Sequence, residues 1–179
     1  MPTERGFTLV ELVLAIAIVS IALLFVVMGV KRGGEQGNSA LWQAKAVELA
    51  NALMDEIHSK RYDENSALDS PCKAFAVSAS LPDCSVTLGR DGAETRAVYN
   101  DSDDIHGFNT VDGGDTLEDL LGNDLESLRR YAGYGVSVAV GYAGGDFGRP
   151  TEDLKRITID IFPPGQDNAV RFSAYRGNY

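Results

Sequence analysis

The chain opens with a long apolar run that gives way to a shorter amphipathic pattern. Residues 12–30 carry no charge, and as a helix rising about 1.5 Å per residue they would span roughly 28 Å. This length matches the hydrocarbon core of a bilayer, about 30 Å thick, so the run predicts one membrane-spanning helix. Three glycines at 33–37 follow, and they predict that the helix kinks, frays or breaks there, because each costs about 1 kcal/mol relative to alanine in a helix interior.

Helical spacing resumes after the glycines, with Ser39 as the predicted N-cap and the end of the helix near Arg61. Apolar residues at three- and four-residue steps form one stripe: Trp42, Ala46, Leu49, Ala50, Leu53, Met54 and Ile57. The stripe predicts packing on a sheet. A surface for a partner helix is the alternative interpretation.

The C-terminal half changes from helical spacing to alternation. Residues 117–131 predict a short helix or two helical turns, interrupted by Gly122. Alternating apolar residues then predict three strands, around 136–142, 157–161 and 170–175.

Proline and glycine at 162–168 predict a hairpin turn between the last two strands, so the sheet is expected to be antiparallel. Two minor strands are predicted at 74–78 and 85–88. The apolar face of the sheet and the apolar stripe of the helix must each be buried, and packing them together buries both. An α+β fold results, in which a long N-terminal helix with a transmembrane first half packs on a C-terminal antiparallel β-sheet.

Length and charge limit what the region outside the membrane helix can be. The chain has 179 residues, so about 150 lie outside the membrane helix, enough for one domain. The formal net charge of −10 argues against a general affinity for nucleic acid. Six basic residues could still converge on one side of the sheet, with solvated or salt-bridged positions the favoured alternative: Arg129, Arg130, Lys155, Arg156, Arg171 and Arg176.

Cysteine and histidine offer little catalytic chemistry. Cys72 and Cys84 predict a disulfide, which for so short a loop contributes about 3 kcal/mol. A metal site is the alternative, but His58 and His106 lie at no ligand spacing from the cysteines. Two isolated histidines do not make a general acid/base pair, and we expect neither an enzyme nor a required cofactor.

A segment rich in glycine, aspartate and asparagine covers residues 89–116. Calcium takes oxygen ligands from such segments, although the EF-hand spacing fails here, since His106 stands where glycine is required. A solvated loop is the favoured interpretation and a calcium site the alternative. The candidate ligands of that site are Asp101, Asp103, Asp104 and Asp112.

The most specific motif precedes the apolar run. Residues 6–11 read Gly-Phe-Thr-Leu-Val-Glu, and they resemble the class III signal of type IV pilins and pseudopilins. A secretory signal peptide fits less well, because no small-x-small cleavage site follows the apolar run. The resemblance implies that a prepilin peptidase cleaves between Gly6 and Phe7 and methylates the new terminal amine of Phe7.

Glu11 acquires a role from the same resemblance. A carboxylate in an apolar span costs on the order of 3 kcal/mol unless it is compensated. The resemblance implies that the free amine of a neighbouring subunit's first residue compensates Glu11 when a filament assembles. An ordinary membrane anchor with Glu11 at the interface is the alternative.

The resemblance also implies a location and a set of partners. The N-terminus would lie in the cytoplasm and the globular region in the periplasm of a bacterial inner membrane, with the cell surface reached after pilus assembly. The partners would be the prepilin peptidase, major and other minor pilins, and an inner-membrane assembly platform. The expected parts are a leader, a membrane and filament-core helix, an amphipathic helix and a globular α+β region, at residues 1–6, 7–30, 31–61 and 62–179.

Patches of the remaining chain narrow the resemblance. Four patches are similar to minor pilins of mannose-sensitive haemagglutinin (MSHA) pili: residues 45–57, 60–64, the acidic run that ends at 106–108, and 172–176. This similarity implies a structural subunit that initiates or caps a pilus. A minor pseudopilin of a type II secretion system is the alternative of the same kind, and capture of DNA or host surfaces is an alternative of another class.

Overall fold

The computed structural model describes residues 6, 8–67, 70–73, 81–112, 114–122, 124–166 and 168–178, with only the backbone for 32–38. Phe7 and the strand predicted at 74–78 lie outside the described residues. The chain forms two compact units, Met1–Leu41 and Trp42–Tyr179.

Helix α1 begins at Leu9 and ends at Ser59, two residues before the predicted end. The Thr8 hydroxyl accepts a hydrogen bond from the Glu11 N–H over 3.3 Å, which is how an N-cap residue satisfies a free donor of the first turn. The stretch Leu9–Lys31 is long and apolar enough to cross a membrane, and none of it is buried within the protein.

Of the alternatives predicted at the glycine-rich segment, the break is wrong. The backbone is helical through residues 33–37, and Ser39 lies inside α1 instead of capping a second helix. Glycine lowers helix propensity but keeps its N–H and C=O, so the helical hydrogen bonds can continue through it.

Three antiparallel strands form the predicted sheet, in the order β1-β2-β3. Strand β1 covers Gly135–Tyr142, β2 covers Leu154–Phe162 and β3 covers Val170–Gly177. Val138 pairs with Ile159 across the first interface, and Ile159 pairs with Phe172 across the second. The alternation of apolar residues along the sequence therefore gave the strands and their buried face correctly.

The main core lies between this sheet and the part of α1 that belongs to the second unit. The buried apolar residues at this contact are Ala46, Leu49, Ala50, Leu53 and Ile57 from α1 and Val136, Val138, Val140, Ile157, Ile159 and Ile161 from the sheet. Full burial of each large aliphatic side chain contributes about 1.5–3 kcal/mol. The predicted core-facing stripe and the α+β fold are confirmed.

Two short helices precede the sheet, as the sequence predicts. Helix α2 covers Leu117–Leu121 and α3 covers Leu125–Arg130. Thr116 and Asp119 form a capping box at the start of α2. Gly122 ends α2 with φ of +70°, a conformation that glycine adopts without steric cost.

The segment between α1 and α2 contains the disulfide but lacks one predicted strand. Cys72 and Cys84 are bonded, which confirms the pairing. Residues 85–88 form no strand, because the Ser85 N–H donates to both carboxylate oxygens of Asp63, each over 3.1 Å, instead of to a neighbouring strand. A side chain thus satisfies the backbone donor that strand pairing would have used.

Candidate functional site

Of the predicted processing and assembly residues, the structure describes Gly6, which precedes α1, and Glu11, which lies in its first turn. Gly6 is exposed, and a Cβ built on it would meet no atom within 4 Å. Glu11 is exposed in the first turn, where a negative charge interacts favourably with the helix dipole. Among the described residues, no carboxylate–cation pair includes Glu11.

A second group of polar residues lies at the sheet, and we call it the Lys155 cluster: Tyr62, Asp63, Asp103, Tyr142 and Lys155. Tyr142 is half-buried and the other four are buried. The Lys155 side chain has no exposed surface. Its Nζ donates to the Tyr62 carbonyl over 2.6 Å, to Asp63 Oδ2 over 3.2 Å and to the Asp103 carboxylate. An ammonium group has three donors, so these three acceptors satisfy it completely.

Two tyrosine rings enclose the same ammonium group. Nζ of Lys155 lies 4.5 Å from the centroid of the Tyr62 ring and 5.4 Å from that of Tyr142, both within cation–π range. The Tyr142 hydroxyl donates to Asp63 Oδ2 over 2.9 Å. Burial and the charge of Asp63 raise the pKa of both phenols far above the usual value, so both keep their protons.

Asp63 keeps its charge in spite of full burial. Burial alone would raise the pKa of Asp63, but the Lys155 charge and hydrogen bonds from Asn65, Ser85 and Tyr142 outweigh it and hold that pKa below its usual value. The cluster is thus an ion-paired network of low solvent access, and it ties the end of α1, the aspartate-rich loop and β2 together.

The position of Lys155 in β2 is a local sequence signal for this cluster. Lys155 stands two residues before Ile157, on the same face of β2 as the three buried isoleucines. The alternation that predicts the strand therefore also predicts an inward-facing lysine. No comparable signal marks Asp63 or Asp103, since their partner is far away in the chain.

Three of the other basic residues that were expected near the sheet form ion pairs, each with a different carboxylate. Arg130 pairs with Glu48, Arg156 with Asp146 and Arg171 with Asp160. These three arginines are therefore salt-bridged, as the favoured interpretation of the sequence predicted. Lys155 is removed from any surface by burial.

The four candidate calcium ligands are placed differently from one another. Asp101, Asp103 and Asp104 are buried, whereas Asp112 is exposed. Asp101 Oδ1 accepts from the Asp103 and Asp104 N–H groups over 2.9 and 3.2 Å, and Asp104 Oδ2 accepts from the Asp101 N–H over 3.1 Å. Asp103 instead contacts Lys155. Asp101 and Asp104 are therefore held together by hydrogen bonds within the turn, whereas Asp103 belongs to the Lys155 cluster.

Two carboxylates outside the predicted calcium ligands, Glu64 and Asp91, lie beside Asp101. Single carboxylate oxygens of Glu64, Asp91 and Asp101 all lie within 4.8 Å of one another. Burial and the charge of Asp103 raise the pKa of Asp101 to about 7, and burial and the charge of Glu64 raise that of Asp91. These shifts indicate that negative charge accumulates here without full compensation.

The two histidines occupy unrelated structural positions. Nδ1 of His106 accepts a hydrogen bond from the Val140 N–H over 3.0 Å. His58 is exposed near the end of α1, and partial burial of its ring together with the Arg176 charge lowers its pKa. His106 thus binds the backbone of β1 at the edge of the sheet, and this hydrogen bond gives it a structural role.

Comparison with known proteins identifies the N-terminal signal. A family model described as the prokaryotic N-terminal methylation motif matches residues 1–27. No curated protein and no solved structure matches the chain. The matched motif is that of prepilin-type signals and supports a type IV pilin-like protein that a prepilin peptidase processes. The N-terminal apolar helix and the α+β architecture are consistent with a pilin-like fold and with membrane association.

Proposed function

We propose that the protein is a minor type IV pilin, a structural subunit that is held in the inner membrane until a pilus machine assembles it. The observation that carries this proposal is the methylation motif over residues 1–27, which continues directly into the apolar stretch Leu9–Lys31. A single helix of this kind can serve as lipid anchor before assembly and as filament core afterwards, because both surroundings exclude water.

Processing and assembly use separate residues of the signal. Cleavage follows Gly6, and the methylated amine belongs to Phe7. Glu11 then lies four residues after the new N-terminus, inside the apolar environment of a filament. A carboxylate there requires a cationic partner, and the terminal amine of a neighbouring subunit supplies it.

The particular pilus is inferred from the remaining chain. Residues 45–57, 60–64, 106–108 and 172–176 resemble MshD, a minor pilin of MSHA pili, and we propose initiation or capping of such a filament. A minor pseudopilin of a type II secretion system is the alternative. The proposed partners are the prepilin peptidase, other pilins and the assembly platform, with the C-terminal domain in the periplasm, and the role is structural, not catalytic.

Intact-mass analysis of protein from membranes and sheared surface filaments of the native host tests this proposal. We expect a species that begins at N-methyl-Phe7 and is two hydrogens lighter than its reduced form, present in both fractions. Co-purification with secretion components and absence from sheared filaments would favour the pseudopilin. Retention of residues 1–6 in the membrane fraction would refute both.

Glu11→Ala tests the assembly role. We expect this variant to be processed and to accumulate in the membrane normally, but to enter filaments at less than about a tenth of the normal level, because the buried charge pair is lost. Glu118→Ala is the matched control, since Glu118 is also an exposed acidic residue in the first turn of a helix. Normal incorporation of Glu11→Ala would contradict the assembly role.

A further inference from the structure

The disulfide lies in a buried site that also contains a carboxylate. Cys72 and Cys84 are 2% and 7% exposed, and Asp63 has no exposed surface. The two sulfur atoms and one carboxylate oxygen of Asp63 all lie within 4.8 Å of one another. Thiolates and carboxylates are both ligands of zinc. The three side chains are therefore grouped as a zinc site would group them once the sulfur–sulfur bond is broken.

Backbone contacts hold the two cysteine segments side by side independently of the disulfide. The Lys73 N–H donates to the Pro82 carbonyl over 2.6 Å, and Lys73 forms a parallel bridge with Asp83. Lys73 Nζ also lies 3.6 Å from Asp83 Oδ1 in an ion pair. These contacts involve the residue after Cys72 and the two residues before Cys84. Reduction would therefore free the sulfur atoms without separating their backbones.

A buried amide lies against both sulfur atoms. Asn178 is 6% exposed, and its Nδ2 lies 3.6 Å from the Cys72 sulfur and 3.5 Å from the Cys84 sulfur. A neutral sulfur is a weak acceptor, whereas a hydrogen bond to an ionised group favours the ionised form of that group. Asn178 Oδ1 is also buried, without a hydrogen-bond partner among the described residues. The amide thus suits two thiolates better than it suits a disulfide.

We propose that Cys72, Cys84 and Asp63 bind one zinc ion when the disulfide is reduced, with water as the fourth ligand. A dithiol supplies two electrons and two protons by thiol–disulfide exchange: the sulfur–sulfur bond breaks, two thiols form and the dithiol becomes a disulfide. Zinc then replaces the two thiol protons, which are released to water. The ion balances the two thiolates, so its binding adds no net charge beside Lys155.

Zinc suits this ligand set better than calcium or magnesium does. Its bonds to sulfur are about 2.3 Å long and those to oxygen about 2.0–2.2 Å, so two ligands at a tetrahedral angle are about 3.3–3.8 Å apart. Rotation of the freed cysteine side chains can move the sulfurs apart to this separation and close a longer distance to Asp63. Calcium and magnesium take oxygen ligands, so thiolates disfavour both ions.

Asp63 can bind the ion without leaving the Lys155 cluster. The described residues make six hydrogen-bond contacts to its two oxygens, which together offer about four lone-pair sites. The Ser85 N–H is shared between both oxygens, over 3.1 Å to each. One of these two contacts can therefore give way to zinc while Lys155 stays paired with Oδ2.

A cavity beside the site offers room for the water ligand and an approach for the ion. Its volume is about 360 Å³, and its lining includes Tyr62, Pro71 and Asn178. Tyr62 and Pro71 are the chain neighbours of Asp63 and Cys72, and Asn178 contacts both sulfurs. A cavity of this size holds several water molecules. Zinc can therefore reach the thiolates from the side of Asn178.

The test compares the oxidised and reduced forms of the full-length protein in detergent micelles, with zinc chloride added after chelator treatment. A phosphine serves as the reductant, because a dithiol would compete for zinc. The reduced form should bind one zinc ion per chain, with a midpoint below about 10⁻⁶ M in chelator competition. The oxidised form should bind at least about a hundredfold more weakly, because its sulfurs are not thiolates. Equal binding by both forms, or no binding by the reduced form, would overturn the proposal.

Thermal unfolding of the reduced protein, followed by Trp42 fluorescence, gives a second measurement. Zinc should restore at least about half of the fall in Tm that reduction causes, because the ion binds only the folded site. The double variant Cys72→Ser/Cys84→Ser lacks both thiols, and its Tm should be the same with and without zinc. A zinc-dependent rise in Tm for that variant would show that other groups bind the ion, and it would overturn the proposal.

X-ray absorption at the zinc edge identifies the ligands without a substitution. The reduced, zinc-loaded protein should show two sulfur neighbours at about 2.3 Å and two oxygen neighbours at about 2.0–2.2 Å. Fewer than two sulfur neighbours would overturn the ligand set. Asp83→Asn is the matched control for charge, since Asp83 is 84% exposed and precedes Cys84. Its zinc midpoint should stay within about twofold of the parent, because an exposed charge is screened.

Discussion

Replacement of Lys155 by methionine should destabilise the second unit strongly. Methionine keeps an unbranched side chain of similar length but removes the ammonium group. The Asp63 and Asp103 carboxylates would then remain buried without their cation, and the Tyr62 carbonyl would lose its donor. Removing one partner of a buried ion pair costs about 3–5 kcal/mol. For a protein of this size, that corresponds to a fall in Tm of roughly 6–20 °C.

Equilibrium urea unfolding of the full-length protein in micelles measures this loss. Trp42 is the single tryptophan and packs against the core, so its fluorescence reports on the relevant unit. Arg171→Met is the control, because Arg171 is 70% exposed in its pair with Asp160. An exposed pair of this kind contributes less than about 1 kcal/mol.

A second substitution separates lost charge from lost packing. Asp103→Asn should destabilise the parent protein, because it weakens the contact with Lys155. In the Lys155→Met background the same change should stabilise the protein, because it removes a buried charge that has no partner. A loss of less than about 1 kcal/mol for Lys155→Met, or the same sign for Asp103→Asn in both backgrounds, would refute the electrostatic explanation.

Three further predictions can be checked with the same unfolding assay. Reduction of the disulfide should lower the free energy of unfolding by about 3 kcal/mol, measured with and without dithiothreitol. Gly144→Ala should cost at least about 1–3 kcal/mol, because the new Cβ would lie 1.7 Å from the Pro150 carbonyl oxygen. Gly145→Ala is the control, because a Cβ there would meet no atom within 4 Å and steric overlap should not lower the free energy of unfolding. The folded-state pKa of Asp63 lies below the unfolded value of 3.8. Its contribution to stability should therefore persist above about pH 4 and be lost as the pH falls through the folded pKa. In Lys155→Met the loss should begin at higher pH, and an unchanged pH profile would contradict this linkage.

Local sequence patterns were sufficient to predict the helices and strands whose apolar residues recur at regular spacing. Alternation at 136–142, 157–161 and 170–175 predicts β1, β2 and β3, because side chains of a strand face opposite sides in turn. The stripe on α1 predicts the helix face that meets them. Glycine content was misleading at 33–37, since propensity is a weak influence that helical hydrogen bonding overrides.

The sequence by itself determined the processing signal around Gly6 and Glu11, the apolar anchor, the strands and the cysteine pair, because each depends on neighbouring residues or on composition. Only the tertiary structure decided which carboxylates meet. Lys155 is inward-facing by local pattern, but its partners come from 52 and 92 residues away. Glu64, Asp91 and Asp101 likewise come together from three segments. Backbone spacing determines the face on which a residue lies, whereas its charged neighbours depend on how distant segments pack against that face.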